Sequence, residues 1–113
     1  MPLSNFLLLE DDNKIIGIGG VELYGKIALL RSITILKEYR GKSLGISIFS
    51  KIKKYAMEHE VGEIYLLTET AEDFFGKLGF IPVSRDIVPL LIKQTKQFSA
   101  LCPSSAVVMK CAL

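Results

Sequence analysis

Residues 39–45, Tyr39-Arg40-Gly41-Lys42-Ser43-Leu44-Gly45, place two cations and two glycines between an apolar, strand-like segment (Leu29 to Leu36) and a helix-patterned one (Leu44 to His59). Backbone N–H groups at a helix start have no intrahelical partner, and the helix dipole favours negative charge there. Glycine lets the backbone come close to a phosphate, and Arg40 and Lys42 add positive charge. The run therefore reads as a grip for a phosphorylated ligand. It is not a P-loop: Gly41-Lys42-Ser43 imitates the end of that motif, but Leu36 stands where its first glycine is required. The dinucleotide fingerprint Gly-x-Gly-x-x-Gly is absent as well.

The elements that must position this loop follow from periodicity. Strands are expected at Phe6 to Glu10, Ile15 to Leu23 and Ala28 to Ile35, with turns at Asp11 to Lys14 and Tyr24 to Lys26. The third strand is apolar almost throughout, which predicts a central position. Leu44, Ile48, Ile52, Tyr55 and Ala56 recur at helical spacing, and Gly62 marks the end of that helix. A short buried strand is expected at Ile64 to Leu67 and a helix at Ala71 to Leu78. Thr70 and Asp73 would cap that helix, and Gly79 would end it in a left-handed conformation. A strand at Phe80 to Val83, a helix at Ile87 to Phe98 and a last strand at Ser105 to Lys110 complete the chain. Hairpins with one strand–helix–strand crossover make an α+β sandwich: a mixed, largely antiparallel sheet flanked by helices.

Composition excludes several classes. The 113 residues form one expected domain, 1–113, long enough for a core without staples. No apolar run reaches the ~18 residues of a membrane span. Net charge is +2, with no basic run interleaved with aromatics, so nucleic acid is not an expected partner. Cys102, Cys111 and the single His59 lie at no metal-binding spacing, so no metal is expected. Unpaired thiols are the ordinary reading of a cytoplasmic chain.

Arg40-x-x-Ser43-x-Gly45 is similar to the pyrophosphate loop of the GNAT family of acetyl-CoA-dependent N-acetyltransferases, Arg/Gln-x-x-Gly-x-Gly/Ala, with Ser43 in place of a glycine. Residues 68–80, Thr68 through Phe74-Phe75-Gly76-Lys77-Leu78-Gly79-Phe80, resemble that family's second signature. Leu30-Arg31-Ser32, residues 66–70 and residues 97–106 resemble an arsenic-resistance N-acetyltransferase-like branch, related to the acetyltransferase domain of N-acetylglutamate synthases. The resemblance runs from Phe6 to Leu113. It implies a cytoplasmic acyltransferase that uses acetyl-CoA on a small amino-acid-like amine by direct attack in a ternary complex. The alternatives are a CoA-binding module with little turnover and an acetyltransferase of protein amino groups.

The resemblance also implies roles. Arg40, Gly41, Lys42, Ser43, Leu44 and Gly45 would hold the phosphates. Ile33, Thr34 and Ile35 would pair their backbone with the pantetheine arm, opposite the strand at Tyr65 to Thr68, and Phe74 and Phe75 would wall the cofactor. Many members carry tyrosine at the position of Phe75 as an acid for the thiolate; phenylalanine has no proton to give, which leaves Thr68 or Thr70 as hydrogen-bond donors. From the residues themselves, a carboxylate acting through water would serve as base, Glu22 first and Glu69 second. Arg31, with Ser32, would bind a substrate carboxylate, or Arg31 would pair internally with Glu22 or Glu69. The family's usual strand and helices ahead of Phe6 have no counterpart in the sequence. That leads to the expectation of a homodimer in which a neighbour covers the Phe6 to Leu9 strand.

Overall fold

Asp12 and Asn13 both adopt left-handed backbone (φ 49° and 66°), as a two-residue hairpin turn requires to match the twist of its strands. They join β1 (Leu3–Asp11) to β2 (Lys14–Tyr24), and a reversal at Gly25 leads into β3 (Ile27–Ile35). The computed structural model describes residues 3–39, 44–69, 71–84, 87–93 and 106–113. Within them follow a 3-10 turn at Lys37–Tyr39, α1 (Leu44–Glu58), β4 (Glu63–Thr68), α2 (Glu72–Lys77), β5 (Ile81–Pro82), α3 (Leu90–Lys93) and β6 (Val107–Ala112).

The strands form one sheet in the order β1-β2-β3-β4-β6-β5. Every neighbouring pair is antiparallel except β3 and β4, which are parallel. This is the mixed, largely antiparallel sheet expected, with β3 inside it. Side chains alternate between its faces. Val21, Leu23, Leu30, Ile64, Leu66 and Met109 face α1, whose Phe49, Ile52 and Ala56 complete that core. Leu29, Tyr65 and Val108 face the other side, where Val88 and Ile92 cover them. The close approach of α1 depends on Gly19: a Cβ there would lie 2.5 Å from Ile52 Cδ1.

Several boundaries differ from the periodic reading. Helix α1 stops at Glu58, and Glu60 (φ 63°) makes the reversal. Gly62 instead donates its N–H to the Lys26 carbonyl at 2.7 Å, tying the start of β4 to the β2–β3 turn. Thr70 lies outside the described residues; the N-cap of α2 is Ala71, which makes no side-chain cap bond. Its N–H is taken by Thr68 Oγ1 at 2.9 Å. Gly79 does adopt the left-handed conformation, at φ 104°. The helix expected over 87–98 is seen as Leu90–Lys93, residues 94–98 lying outside the described set. Strand β6 is Val107–Ala112; the expected start at Ser105 lies outside the described residues.

Strand β1 is an edge of this sheet, with Phe6 57% and Leu8 37% exposed. Lys51 of α1 reaches over it and donates to the Leu8 carbonyl at 2.9 Å. A lysine at an open edge blunts it against further strand pairing.

Candidate active site

The parallel strands β3 and β4 pair over three positions only: Ile27↔Glu63, Ala28↔Ile64 and Leu29↔Tyr65. Beyond Leu29, β3 follows β2 as far as Gly17↔Ile35, and β4 follows β6 as far as Thr68↔Val107. The two strands therefore splay. The facing backbones of residues 30–35 and 66–68 are not paired with each other, and they line a wedge open at the carboxyl ends of both strands. Extended ligands add to such an edge as a strand would.

At the vertex of the wedge the β2–β3 register steps from Gly20↔Ser32 to Val21↔Leu30. Arg31 is the extra residue of that bulge. Bulges re-aim side chains and are common beside active sites. Arg31 is not buried, as its apolar neighbours suggested: its side chain is 46% exposed, and Nη1 stands 3.9 Å from Glu22 Oε2. The internal pair with Glu22 thus exists, on a side chain that solvent also reaches. The other oxygen of Glu22 accepts the Tyr24 hydroxyl at 3.0 Å. Tyr24 is pushed up to about 12 by burial first, then by the Glu22 hydrogen bond and charge, with Arg31 opposing.

Helix α1 opens at Leu44, after the end of β3, so its N-terminal amides lie on the carboxyl side of the parallel pair. Ligands of open α/β sheets bind on that side. Arg40, Gly41, Lys42 and Ser43 lie outside the described residues; Leu44 and Gly45 are partly buried in the first turn of α1. A Cβ on Gly45 would lie 2.7 Å from Phe74 Cζ, so α2 rests its ring on the start of α1. Phe74, Phe75, Phe80 and Phe49 continue as a run of ring contacts at 5.1, 5.7 and 5.4 Å, fastening α2 to α1.

The remaining residues singled out from the sequence are spread around this wedge. Ile33 packs on the α1 core, and Thr34 is exposed opposite Ile18. Thr68 ends β4, its oxygen holding the Ala71 amide, and Glu69 is exposed just beyond it. Phe75 is partly buried against the α1 core. Tyr24 was read as part of a turn and missed. The available signal was its i, i+2 spacing from Glu22, which puts both on one face of a strand. Among the described residues no cluster could hold a metal ion, and no helix is long and apolar enough to cross a membrane.

The profile of the acetyltransferase (GNAT) domain matches residues 2–82. An uncharacterized N-acetyltransferase of Chlorobaculum tepidum is 26% identical over 77% of this chain and 56% of its own length. The amino-acid acetyltransferase of Actinobacillus pleuropneumoniae is 26% identical over 79% of this chain and 21% of its own. The chain thus spans about half of one relative and a fifth of the other. Among solved structures, N-acetylglutamate synthase of Neisseria gonorrhoeae, complexed with coenzyme A and N-acetyl-glutamate, superposes with a TM-score of 0.84 at 14% identity, over 96% of this chain and 25% of that one. The PaiA N-acetyltransferase of Thermoplasma acidophilum, in complex with coenzyme A, gives 0.77 at 18% identity, over 97% and 61%. With the profile covering most of its length and the same fold in these neighbours, this chain belongs to the GNAT acetyltransferase domain family.

Proposed function

We propose that the domain, 1–113, is an acetyl-CoA-dependent N-acetyltransferase acting on a small amino-acid-like amine by direct attack in a ternary complex. The observation that carries the reading is the splay of β3 from β4 beside the start of α1. The backbone of Ile33, Thr34 and Ile35 is placed to pair with an extended arm. The amides of residues 41–45, with Arg40 and Lys42, suit a pyrophosphate. Phe74 and Phe75 wall the same side. Bound acetyl-CoA supplies the thioester; the chain orients it, keeps the amine nearby and handles protons. Thr68 holds the Ala71 amide through its oxygen, so its own hydroxyl proton remains as a donor toward a departing thiolate. Glu22 or Glu69 takes the proton of the attacking amine, directly or through water. Arg31, with Ser32, receives a carboxylate of the acceptor. The likeness of Leu30-Arg31-Ser32 to the arsenic-resistance branch and the amino-acid acetyltransferase relatives support such an acceptor.

A homodimer in the cytoplasm goes with this reading. The exposed Phe6, Leu8 and Ile18 form an apolar strip beside the β1 edge that a second copy would cover, and Cys111 is a buried free thiol. A CoA-binding module with little turnover is the second reading. It is favoured by Phe75, which has no acidic proton and is 5.7 Å from the Phe80 ring.

Calorimetric titration with acetyl-CoA, followed by thiol release in the presence of an amino-acid panel, separates the two. Binding with acceptor-dependent release supports the enzyme. Binding without release for any acceptor supports the module, and the absence of binding ends both.

A further inference from the structure

We propose that Tyr24 and Glu22 are positioning residues that aim Arg31 at the carboxylate of the acceptor, and so set selectivity for carboxylate-bearing amines. This rests on the acceptor reading given above and adds what fixes the receptor. The two oxygens of Glu22 are used differently: Oε1 takes the Tyr24 hydroxyl at 3.0 Å, and Oε2 faces Arg31 at 3.9 Å. The carboxylate is itself only 17% exposed, and the Tyr24 hydroxyl on Oε1 leaves Oε2 toward Arg31. The base of the Arg31 side chain lies over Gly20, as the Phe6 ring does. Gly20 has no side chain, and at the point its Cβ would occupy lie the Phe6 ring at 3.0 Å and Arg31 Cβ at 3.6 Å. A cation faced by a fixed carboxylate at one edge loses less freedom when it binds a ligand. Its guanidinium carries five donors in a fork, enough in number to face Glu22 and donate to a second carboxylate together. The bulge puts this group at the vertex of the wedge, two residues past the last β3–β4 pair at Leu29↔Tyr65. The Glu22 arrangement is that of an orienting carboxylate, and Glu69, exposed past the end of β4, is the one open to water.

The test is equilibrium binding of a panel of L-amino acids and their α-amides to the full chain, by calorimetry, with and without CoA. Wild type is expected to bind at least one amino acid roughly tenfold more tightly than its amide. Tyr24→Phe and Glu22→Gln, both close to isosteric, each cut that ratio to about threefold or less, and Arg31→Gln removes it. Arg31→Lys does not restore it, because the fork is lost. CoA affinity stays constant throughout. Equal binding of acids and amides by wild type would overturn the proposal. So would an unchanged ratio in whichever of the Tyr24 and Glu22 variants folds. A chain that discriminates acids from amides but does not bind CoA would uphold this inference and sink the transferase reading instead.

Discussion

Two glutamate–tyrosine pairs lie on the same face of the sheet at the same i, i+2 spacing, each facing a cation from a neighbouring strand. In the Glu63–Tyr65 pair the short contact is to the cation: Lys110 Nζ is 3.0 Å from Glu63 Oε2, and the Tyr65 hydroxyl is 3.5 Å from the other oxygen. In the Glu22–Tyr24 pair the order is reversed, with the tyrosine at 3.0 Å and Arg31 at 3.9 Å. The surroundings differ to match. Glu63 and Tyr65 sit where β3 and β4 are still paired, and Lys110 lies in register opposite Tyr65. Arg31 sits on a bulge, where the strands have begun to part. The same residue types make a close ion pair in the regular part of the sheet and a longer one, on a half-exposed arginine, at its fork. Position in the ladder, not composition, separates the two.

The comparison breaks first if the two cations behave alike. Arg31→Gln is expected to weaken binding of a carboxylate-bearing acceptor by about 10- to 100-fold, the range for hydrogen bonds to charged groups. Lys110→Gln leaves it unchanged. Parallel calorimetric titrations of both variants with the preferred amino acid decide this, and equal losses would remove the distinction drawn between the clusters.

The tyrosines give the next contrast. Tyr24→Phe leaves a mostly buried carboxylate oxygen without its short hydroxyl donor and should cost about 1–2 kcal/mol of folding stability. Tyr65→Phe removes a contact already at the limit of hydrogen bonding and should cost less than about 0.5 kcal/mol. Urea unfolding of both variants measures the difference. A larger loss in Tyr65→Phe would invert the ranking.

Much of the frame was legible in the sequence because apolar spacing alone sets it. Ile48, Ile52 and Ala56 announced the buried face of α1, and the unbroken apolar run of β3 announced its place inside the sheet. The Asp12-Asn13 turn was legible from residues that tolerate left-handed backbone. Less legible was whatever depends on register. Arg31 read as buried because both neighbours in sequence are apolar or small, yet it lies past the last β3–β4 pair, where the strand beside it has parted and its side chain is 46% exposed. Tyr24 beside Gly25 read as a turn, although the strand continues through it to oppose Ile27. The end of α1 was assigned to Gly62 because glycine is the usual left-handed residue, while Glu60 adopts that conformation. The contact of Phe74 with Gly45 joins segments whose packing no local pattern encodes.

Alkaline pH sharpens the comparison further. Burial comes first in raising both tyrosines, Tyr24 to about 12 and Tyr65 upward from its ordinary value. A tyrosine whose folded pKa exceeds its unfolded one favours the native state while it stays protonated. That contribution is complete below pH ~10 and is lost as pH rises through the folded value. Ultraviolet titration of wild type should therefore show a late phase near pH 12 that disappears in Tyr24→Phe. Glu22→Gln, which removes the charge but keeps the shape, should bring that phase to lower pH. Glu63→Gln should leave it in place. If Glu22→Gln had no effect, the carboxylate would not be holding Tyr24 and the cluster would lose its link to Arg31.

The smallest effect expected is on Lys110. Its side chain is 25% exposed, and its hydrogen bond with Glu63 raises it from the ordinary lysine value. An ion pair at the surface gains little, because water and salt screen it and two long side chains must be held still. Lys110→Gln should leave the urea midpoint of unfolding within experimental error, and roughly 1 M salt should shift wild type and variant equally, since the Debye length is then about 3 Å. A clear drop in Lys110→Gln at low salt, absent at high salt, would show that the Glu63 pair helps hold β4 to β6. The parting of β4 from β3 would then depend on it, and the Glu63 cluster would belong to the architecture of the site.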